Sequence, residues 1–167
     1  MKKPISLSIA FLAFGLFLPA EGAKWWKGNL HTHSFWSDGN DFPEMIASSY
    51  KDRGYHFLAL TDHNILNRGQ KWMRIEADDP VRLIALGKYW ERFGREWVET
   101  RGDLDEGTFE VRLKPFQETA ALLNEPGRFL LLEGEEITDG AEDGNPIHMN
   151  VINQPGYIDP PGGDTVR

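Results

Sequence analysis

The chain has 167 residues and a formal net charge of −8 at pH 7, from 18 basic and 26 acidic side chains. An acidic surface repels nucleic-acid backbones, so general DNA or RNA binding is not expected. The chain contains no cysteine, which excludes disulfides and leaves histidine and carboxylate side chains as the available metal ligands. Its length suits one domain once a leader is removed.

The N-terminal residues have the layout of a secretory signal peptide. Two lysines precede an apolar run over residues 5–18, and Ala20 and Gly22 provide small residues for cleavage. The run is shorter than the ~20 residues of a membrane-spanning helix. We therefore predict a signal peptide over residues 1–22, export to the periplasm or the extracellular space, and no stable membrane insertion after cleavage. An uncleaved N-terminal anchor is the alternative.

The first strand-like segment of the mature chain, residues 25–30, leads into His31-Thr32-His33-Ser34. Two histidines separated by one residue project to the same side of an extended strand, so both imidazoles can reach one metal ion. Ser37-Asp38-Gly39 follows in a turn-rich stretch. Asp38 is either a ligand near the histidines or an ordinary turn residue.

A strand–helix–strand unit comes next. Asp41 as N-cap, Pro43 in the first turn and Gly54 after the last turn predict a helix. Residues 55–60 are nearly all apolar, as in a buried parallel strand, and lead into Thr61-Asp62-His63-Asn64. Such a unit brings the carboxyl ends of its strands to one edge, which carries the chemistry in a β/α barrel.

The segment after this unit is long for a simple crossover. Residues 80–100 predict an amphipathic helix, whose aromatic stripe we expect to pack in the core. Residues 114–123 predict a further helix. We expect this region to cover the mouth or the flank of the site.

Two more strands carry polar residues. The apolar residues 129–132 lead into Glu133-Gly134-Glu135-Glu136, and a strand over residues 147–152 carries His148 near its start. Alternation sends Glu135 and Glu136 to opposite faces unless the glycine kinks the backbone, so either carboxylate is a candidate ligand.

The remaining histidine and the absent motifs narrow the chemistry. His56 falls inside a strand and is expected to serve in packing. Neutral imidazole with carboxylate oxygen suits zinc, manganese or iron. The sequence holds no Gly-x-Ser-x-Gly nucleophile motif, no phosphate-binding Gly-x-x-x-x-Gly-Lys loop and no Gly-x-Gly-x-x-Gly turn. Metal-assisted hydrolysis needs none of these motifs.

These motifs resemble the PHP family (polymerase and histidinol phosphatase). The resemblance spans about residues 27–153 and is carried by His31-Thr32-His33-Ser34, Ser37-Asp38-Gly39, Phe57–Asn64, Gly134–Thr138 and His148. It implies an α/β fold: a distorted (β/α)7 barrel like a TIM barrel, of which this chain holds the N-terminal part as a PHP domain over residues 23–167. It also implies two or three divalent metal ions, zinc, manganese or iron.

Carried over by position, the resemblance implies six metal ligands: His31, His33, Asp38, His63, Glu136 and His148. The first two would bind one ion, Glu136 would bridge to a second ion held by His148, and Asp38 with His63 would bind a third. Asp62 and His63 are the implied catalytic residues, Asp62 as a group that orients or relays protons. Glu135 is the alternative bridge, and an Asx cap is the alternative role for Asp62.

The resemblance implies an exported metal-dependent phosphoesterase, in which metal-activated hydroxide attacks a small phosphorylated substrate. A non-catalytic metal- or ligand-binding module and a hydrolase of C–N or C–O bonds are the alternatives. The family's later histidine and Asp-x-His ligands have no match after His148, and the last residues are rich in proline and glycine. We therefore expect a C-terminally truncated chain with an incomplete site and low stability and activity on its own.

Overall fold

The computed structural model describes residues 22–141 and 144–162. The predicted signal peptide falls almost entirely outside these residues. The described chain forms β1 (Gly28–Asn29), α1 (Pro43–Asp52), β2 (Phe57–Leu60), β3 (Lys71–Arg74), α2 (Pro80–Phe93), β4 (Thr100–Arg101), β5 (Glu110–Leu113), α3 (Phe116–Leu123), β6 (Leu130–Gly140) and β7 (Pro146–Ile152). No helix within the described ranges has the length and apolar character needed to cross a membrane.

The larger sheet has the strand order β1-β2-β6-β7. Its first three strands are parallel, and β7 runs antiparallel to β6. The predicted strand–helix–strand unit is present as β1, α1 and β2. The N-cap of α1 is Phe42 rather than Asp41, because the Asp41 carboxylate accepts the N–H of Phe42 at 2.9 Å instead of capping the helix.

A second, antiparallel sheet with the order β3-β5-β4 was not predicted. It is formed between β2 and β6 in the chain, together with α2. This helix ends at Phe93, not near residue 100, because Gly94 adopts a φ of 79°, a left-handed conformation that glycine accepts easily. The aromatic stripe packs as expected: Tyr89 is fully buried and stacks on Phe42 with ring centroids 4.1 Å apart.

The prediction of a partial (β/α)7 barrel is wrong. The described chain has three helices, one mixed sheet and one separate antiparallel sheet, instead of strands and helices alternating around a parallel barrel. Two misread segments explain the error. Residues 64–113 form the antiparallel sheet as well as α2, rather than a purely helical crossover. The third strand of the larger sheet does not end at Leu132: it continues through the acidic stretch to Gly140, eleven residues in all, and pairs with β7.

One face of the larger sheet is covered by helices, and the other face is partly exposed. α1 and α3 bury one face, where Leu58, Leu60 and Leu131 are at most 3% exposed. On the other face Leu130 is half exposed and lines an apolar cleft of about 610 Å³ with Trp26 and Phe57, at the end of the sheet where β2 and β6 begin. The candidate ligands lie on this second face, at the opposite end of the strands.

Candidate metal centre

The loop after β1 carries the first two histidines across the carboxyl end of the sheet. Its backbone is fastened to the residue after β2: Thr61 N–H donates to the Thr32 carbonyl at 2.8 Å, and the Thr61 hydroxyl accepts the Thr32 N–H at 3.1 Å. His31 and His33 flank this anchor. Their Nε2 atoms lie 3.0 Å apart, so both imidazoles face one point, as their spacing predicts.

The same loop turns sharply at Gly39. The N–H groups of Ser37 and Gly39 both donate to the Ser34 carbonyl at 3.0 Å. A Cβ atom at Gly39 would lie 2.5 Å from the Ser34 nitrogen, which is closer than a side chain can approach backbone. Glycine therefore permits the tight turn that returns Asp38 to His33, where carboxylate Oδ1 and ring Nδ1 are 2.8 Å apart.

Asp62 holds this loop in place. Its fully buried carboxylate accepts four hydrogen bonds: from Ser34 N–H at 2.7 Å, Ser34 Oγ at 2.8 Å, Ser37 Oγ at 2.7 Å and Asn67 Nδ2 at 2.9 Å. These donors fill the positions through which a carboxylate could contact substrate. We therefore describe Asp62 as a positioning residue for the loop, and its predicted proton relay stays a prediction.

Four imidazoles converge on the carboxylate of Glu136, which is 2% exposed. Oε2 lies 2.6 Å from His33 Nε2, 3.1 Å from His63 Nδ1 and 3.2 Å from His31 Nε2. Oε1 lies 3.1 Å from His148 Nδ1. The convergence of His63 and His148 on Glu136 follows from pairing: Glu136 forms a parallel bridge with His63, beyond the end of β2, and β7 pairs with β6 on its other side.

The geometry around Glu136 fits a divalent cation. Oε2 is buried and has no hydrogen bond of acceptable geometry, although the Nε2 atoms of His31 and His33 lie within 3.2 Å of it. Donor atoms that share one tetrahedral zinc ion lie roughly 3.4 Å apart, given zinc–ligand distances of about 2.1 Å. Close nitrogen and oxygen donors without hydrogen bonds between them are what a shared cation requires.

The described residues contain three groups that could hold a metal ion: His31, His33 and Glu136; His33, Asp38 and His63; and His63, Glu136 and His148. All six ligands implied by the resemblance belong to these groups, and each group shares a residue with another. The structure therefore brings the six residues together. Which ion each residue binds stays a prediction.

Asp38 differs from Glu136 in its exposure, because two thirds of its side chain is open to solvent. Partial burial would raise the pKa of its carboxyl group. The hydrogen bond from His33 and the charges of His63 and His33 outweigh that effect and lower the pKa below its usual value. Asp38 is thus an ionised acceptor at the rim, suited both to orient the ring of His33 and to bind a cation.

Two other candidates lie away from the cluster. Glu135, the alternative bridge, faces the opposite side of β6, where its Oε1 accepts the N–H of Ile158 at 2.9 Å and burial raises the pKa of its carboxyl group. Gly134 therefore does not re-aim the acidic side chains, and strict alternation decides between the glutamates. His56, as expected, serves in packing: its Nδ1 accepts the N–H of Lys27 and its ring meets Trp26 edge-on.

Asn64 and Thr138 also contact the candidate site, and the sequence analysis assigned no role to either residue. Asn64 has a φ of 47°, and its side-chain amide pairs with the backbone of Thr138 through bonds of 2.7 and 2.9 Å. The Thr138 hydroxyl lies beside His63 and His148. The only available signal was the tolerance of asparagine for left-handed backbone directly after Asp62-His63.

Comparison with known proteins gives one short match. Over 38 residues the chain is 45% identical to the DNA polymerase/3'-5' exonuclease PolX of Bacillus subtilis (strain 168). The alignment covers 23% of this chain and 7% of that relative. No protein-family model and no solved structure matches the chain. The short match is in line with the resemblance to the PHP family, and membership of that family is a proposal.

Proposed function

We propose that this chain carries a PHP-type metal centre and is a metal-dependent phosphoesterase. The observation that carries the proposal is the buried carboxylate of Glu136 with four imidazole nitrogens within 3.2 Å. These donors come from the loop after β1, the residue after β2, and the paired strands β6 and β7. Convergence from separate elements requires the fold, so it is not a consequence of local sequence alone.

The cluster is closed at its base and open at its rim. Glu136 is buried, whereas the side chains of His31, Asp38 and His148 are 49%, 67% and 39% exposed. An anionic ester can therefore approach the rim from solvent. Divalent ions bound there would acidify a water molecule and polarise a phosphoryl oxygen, which supplies a nucleophile without a serine or cysteine.

The chain's own residues would orient the reacting groups. Asp62 holds the loop that carries His33 and Asp38, and Glu136 fixes the separation of the histidines. His63 belongs to two of the three ligand groups, and its proposed part in proton transfer to the leaving alcohol adds to its role as a ligand. The relative named as a 3'-5' exonuclease belongs to an enzyme class that hydrolyses phosphodiesters.

The test is hydrolysis by the full chain after chelation and reloading with Mn²⁺ or Zn²⁺. Substrates are p-nitrophenyl phosphate, its bis-ester and a single-stranded oligonucleotide. We expect low but measurable turnover of at least one nitrophenyl ester, a loss to the background rate in His33→Ala, and near wild-type turnover in His56→Ala, which removes a histidine outside the cluster. Given the charge of −8, we expect no cleavage of the oligonucleotide.

Each other outcome points to a different function. Metal binding with no turnover of any phosphate ester identifies a metal-binding module. Hydrolysis of amide or carboxylic ester substrates in a parallel assay, with no turnover of the phosphate esters, identifies a hydrolase of C–N or C–O bonds. Equal losses in His33→Ala and His56→Ala would show that the cluster is not the reaction site.

We further propose that the protein is exported, on the basis of the basic start and the apolar run over residues 5–18. The mature N-terminus should lie after Ala20 or Gly22. N-terminal sequencing of the protein recovered from the periplasm or the medium checks this, and a full-length N-terminus retained in the membrane fraction contradicts it.

A further inference from the structure

The hydroxyl of Thr138 lies between two histidines of the cluster. Thr138 shares a face of β6 with Glu136 and pairs directly across the hairpin with His148. Its Oγ1 is 2.5 Å from His63 Nδ1 and 3.2 Å from His148 Nδ1. The same hydroxyl donates to the Glu136 carbonyl oxygen at 3.4 Å. Thr138 therefore touches two imidazoles and the backbone of the central carboxylate at once.

A hydroxyl has one proton to donate and two lone pairs that accept. When the Thr138 proton is directed at the Glu136 carbonyl, both lone pairs remain for N–H groups of the two rings. An imidazole that donates from Nδ1 keeps its lone pair on Nε2. Metal-bound histidines commonly use this arrangement, in which one ring nitrogen donates to an acceptor and the other binds the ion.

Resting on the metal centre proposed above, we propose that Thr138 is a positioning residue that holds His63 and His148 as Nδ1–H tautomers. Each ring then presents Nε2 as its metal-binding atom. The proposal adds Thr138, which is not one of the six implied ligands. It also specifies Nε2 as the atom through which His63 and His148 bind the ion.

Two neighbouring contacts support this assignment. Glu136 Oε1 lies 3.1 Å from His148 Nδ1, so a second acceptor favours a proton on that nitrogen. Asp38 stands in the same relation to His33, with Oδ1 2.8 Å from Nδ1 while His33 Nε2 faces Glu136. Three of the four imidazoles thus have Nδ1 against oxygen acceptors.

Thr138 is also held firmly enough to select a tautomer. Asn64 accepts its N–H at 2.7 Å and donates to its carbonyl at 2.9 Å. These bonds fix the backbone of Thr138 relative to the end of β2, from which His63 projects. The hydroxyl therefore has a defined position with respect to both rings, set by β2 on one side and β7 on the other.

The direct test is nitrogen NMR of histidine side chains in the metal-free full chain, with the wild type and all variants measured at the same pH. Signals of His63 and His148 are identified by substituting each with glutamine. We expect Nδ1–H tautomers at both positions in the wild type and in Thr138→Ser. In Thr138→Val, which keeps the shape but removes the hydroxyl, we expect the Nε2–H form to increase at both.

Metal affinity provides the second readout, by calorimetric titration with Zn²⁺. Loss of an outer hydrogen bond to a ligating histidine typically weakens metal binding about 10- to 100-fold. We expect a loss of that size in Thr138→Val and wild-type affinity in Thr138→Ser. Thr138→Ala replaces the valine variant if circular dichroism shows that the latter does not fold.

The outcomes separate this proposal from the proposed function. Unchanged tautomers in the variant without the hydroxyl overturn it, as does a tautomer change that leaves zinc affinity unaltered. A wild-type chain with the expected tautomers and zinc affinity but no turnover of phosphate esters contradicts only the phosphoesterase proposal.

Discussion

At the scale of single residues, Glu44 is a carboxyl group in the core whose pKa is strongly raised. It lies in the first turn of α1, fully buried, and accepts a hydrogen bond from the Tyr89 hydroxyl at 2.9 Å, while its other oxygen has no partner. Trp97 in turn donates to the Tyr89 oxygen at 2.9 Å. Burial raises the pKa of Glu44 to about 7, although these hydrogen bonds oppose the shift.

Glu44→Gln should remove a pH dependence of stability. Because the folded-state pKa of about 7 exceeds the ordinary value of 4.5, the folded chain binds the proton more tightly. The contribution of Glu44 to the free energy of unfolding is therefore fully present below pH 4.5. It is lost as the pH rises through about 7, which lowers the free energy of unfolding by roughly 3 kcal/mol. Urea unfolding in chelator at pH 5 and pH 8 measures this, and the variant should show a smaller difference than the wild type.

Glu91→Gln, at an exposed position of α2, is the matched control and should retain the wild-type difference. Equal pH dependence in the wild type and Glu44→Gln would contradict the assignment.

Asp62→Asn should weaken metal binding without removing a ligand. The amide replaces one of two acceptor oxygens with a donor that faces the N–H and O–H groups of Ser34 and Ser37. Losing hydrogen bonds to a buried carboxylate costs roughly 2–3 kcal/mol, and the loop bearing His33 and Asp38 loosens. Zinc titration should show a loss of about tenfold or more, whereas Asp105→Asn, in an exposed loop, should bind as the wild type does. Wild-type affinity in Asp62→Asn would exclude the positioning role.

At the scale of elements, β6 determines which side chains meet in the candidate site. It pairs with β2 on one side and β7 on the other, and Gly134 lies opposite Ile152 of β7, one residue beyond the last pair with β2. A Cβ atom there would lie 2.5 Å from the Val151 carbonyl oxygen and 3.1 Å from Thr61 Cγ2. The absence of a side chain therefore lets β7 approach closely enough to bring His148 to Glu136.

Gly134→Ala should displace β7 and destabilise the fold. The added methyl meets backbone that cannot move without loss of pairing, and such overpacking costs typically 1–3 kcal/mol. Gly140→Ala, at the end of the same strand with open space around its Cα, should change stability by less than about 0.5 kcal/mol. Urea unfolding compares the two, and equal stabilities would show that the strands tolerate the methyl group.

Elements also show what the sequence could reveal. The histidine pair, Asp62-His63 and α1 were predictable because residue spacing, apolar runs and the flanking Pro43 and Gly54 are local signals, although the predicted N-cap was wrong. The hairpin of β6 and β7 was not predictable from the sequence. Carboxylates such as Glu133 after an apolar run indicate that a buried strand has ended, unless a partner for them is known. Glu133 is paired in β6 by Arg68, with two contacts of 2.6 and 2.8 Å. The choice of Glu136 over Glu135 likewise depends on pairing with β2.

At the scale of the whole molecule, the loop that carries candidate ligands after β1 connects two core clusters. α1 and α3 pack with one face of the larger sheet, and α2 packs with the antiparallel sheet and with Phe35 and Trp36 from the loop after β1. Trp36 donates from its ring nitrogen to the Lys114 carbonyl at 3.0 Å. The loop that carries the ligands thus ties the two parts together, so ions bound there should stabilise both.

Metal binding should raise the stability of the full chain by linkage. Free Zn²⁺ at 100 times its dissociation constant adds about 2.7 kcal/mol when only the folded state binds. Thermal unfolding should therefore shift upward with Zn²⁺ or Mn²⁺ in the wild type and in His56→Ala, and little in His33→Ala. A shift of similar size in all three proteins would place the ions elsewhere.

The neighbouring glutamates on β6 also create a hazard during folding. The pairing of Leu60 with Glu133 and of His63 with Glu136 sets which of them reaches the imidazoles. A slip of one residue exchanges the two faces of a strand, so a misaligned chain would present Glu135 to the same histidines. A metal ion added before the strands have aligned could bind Glu135 in place of Glu136. Refolding should therefore yield more correctly assembled protein when the metal ions are added after folding.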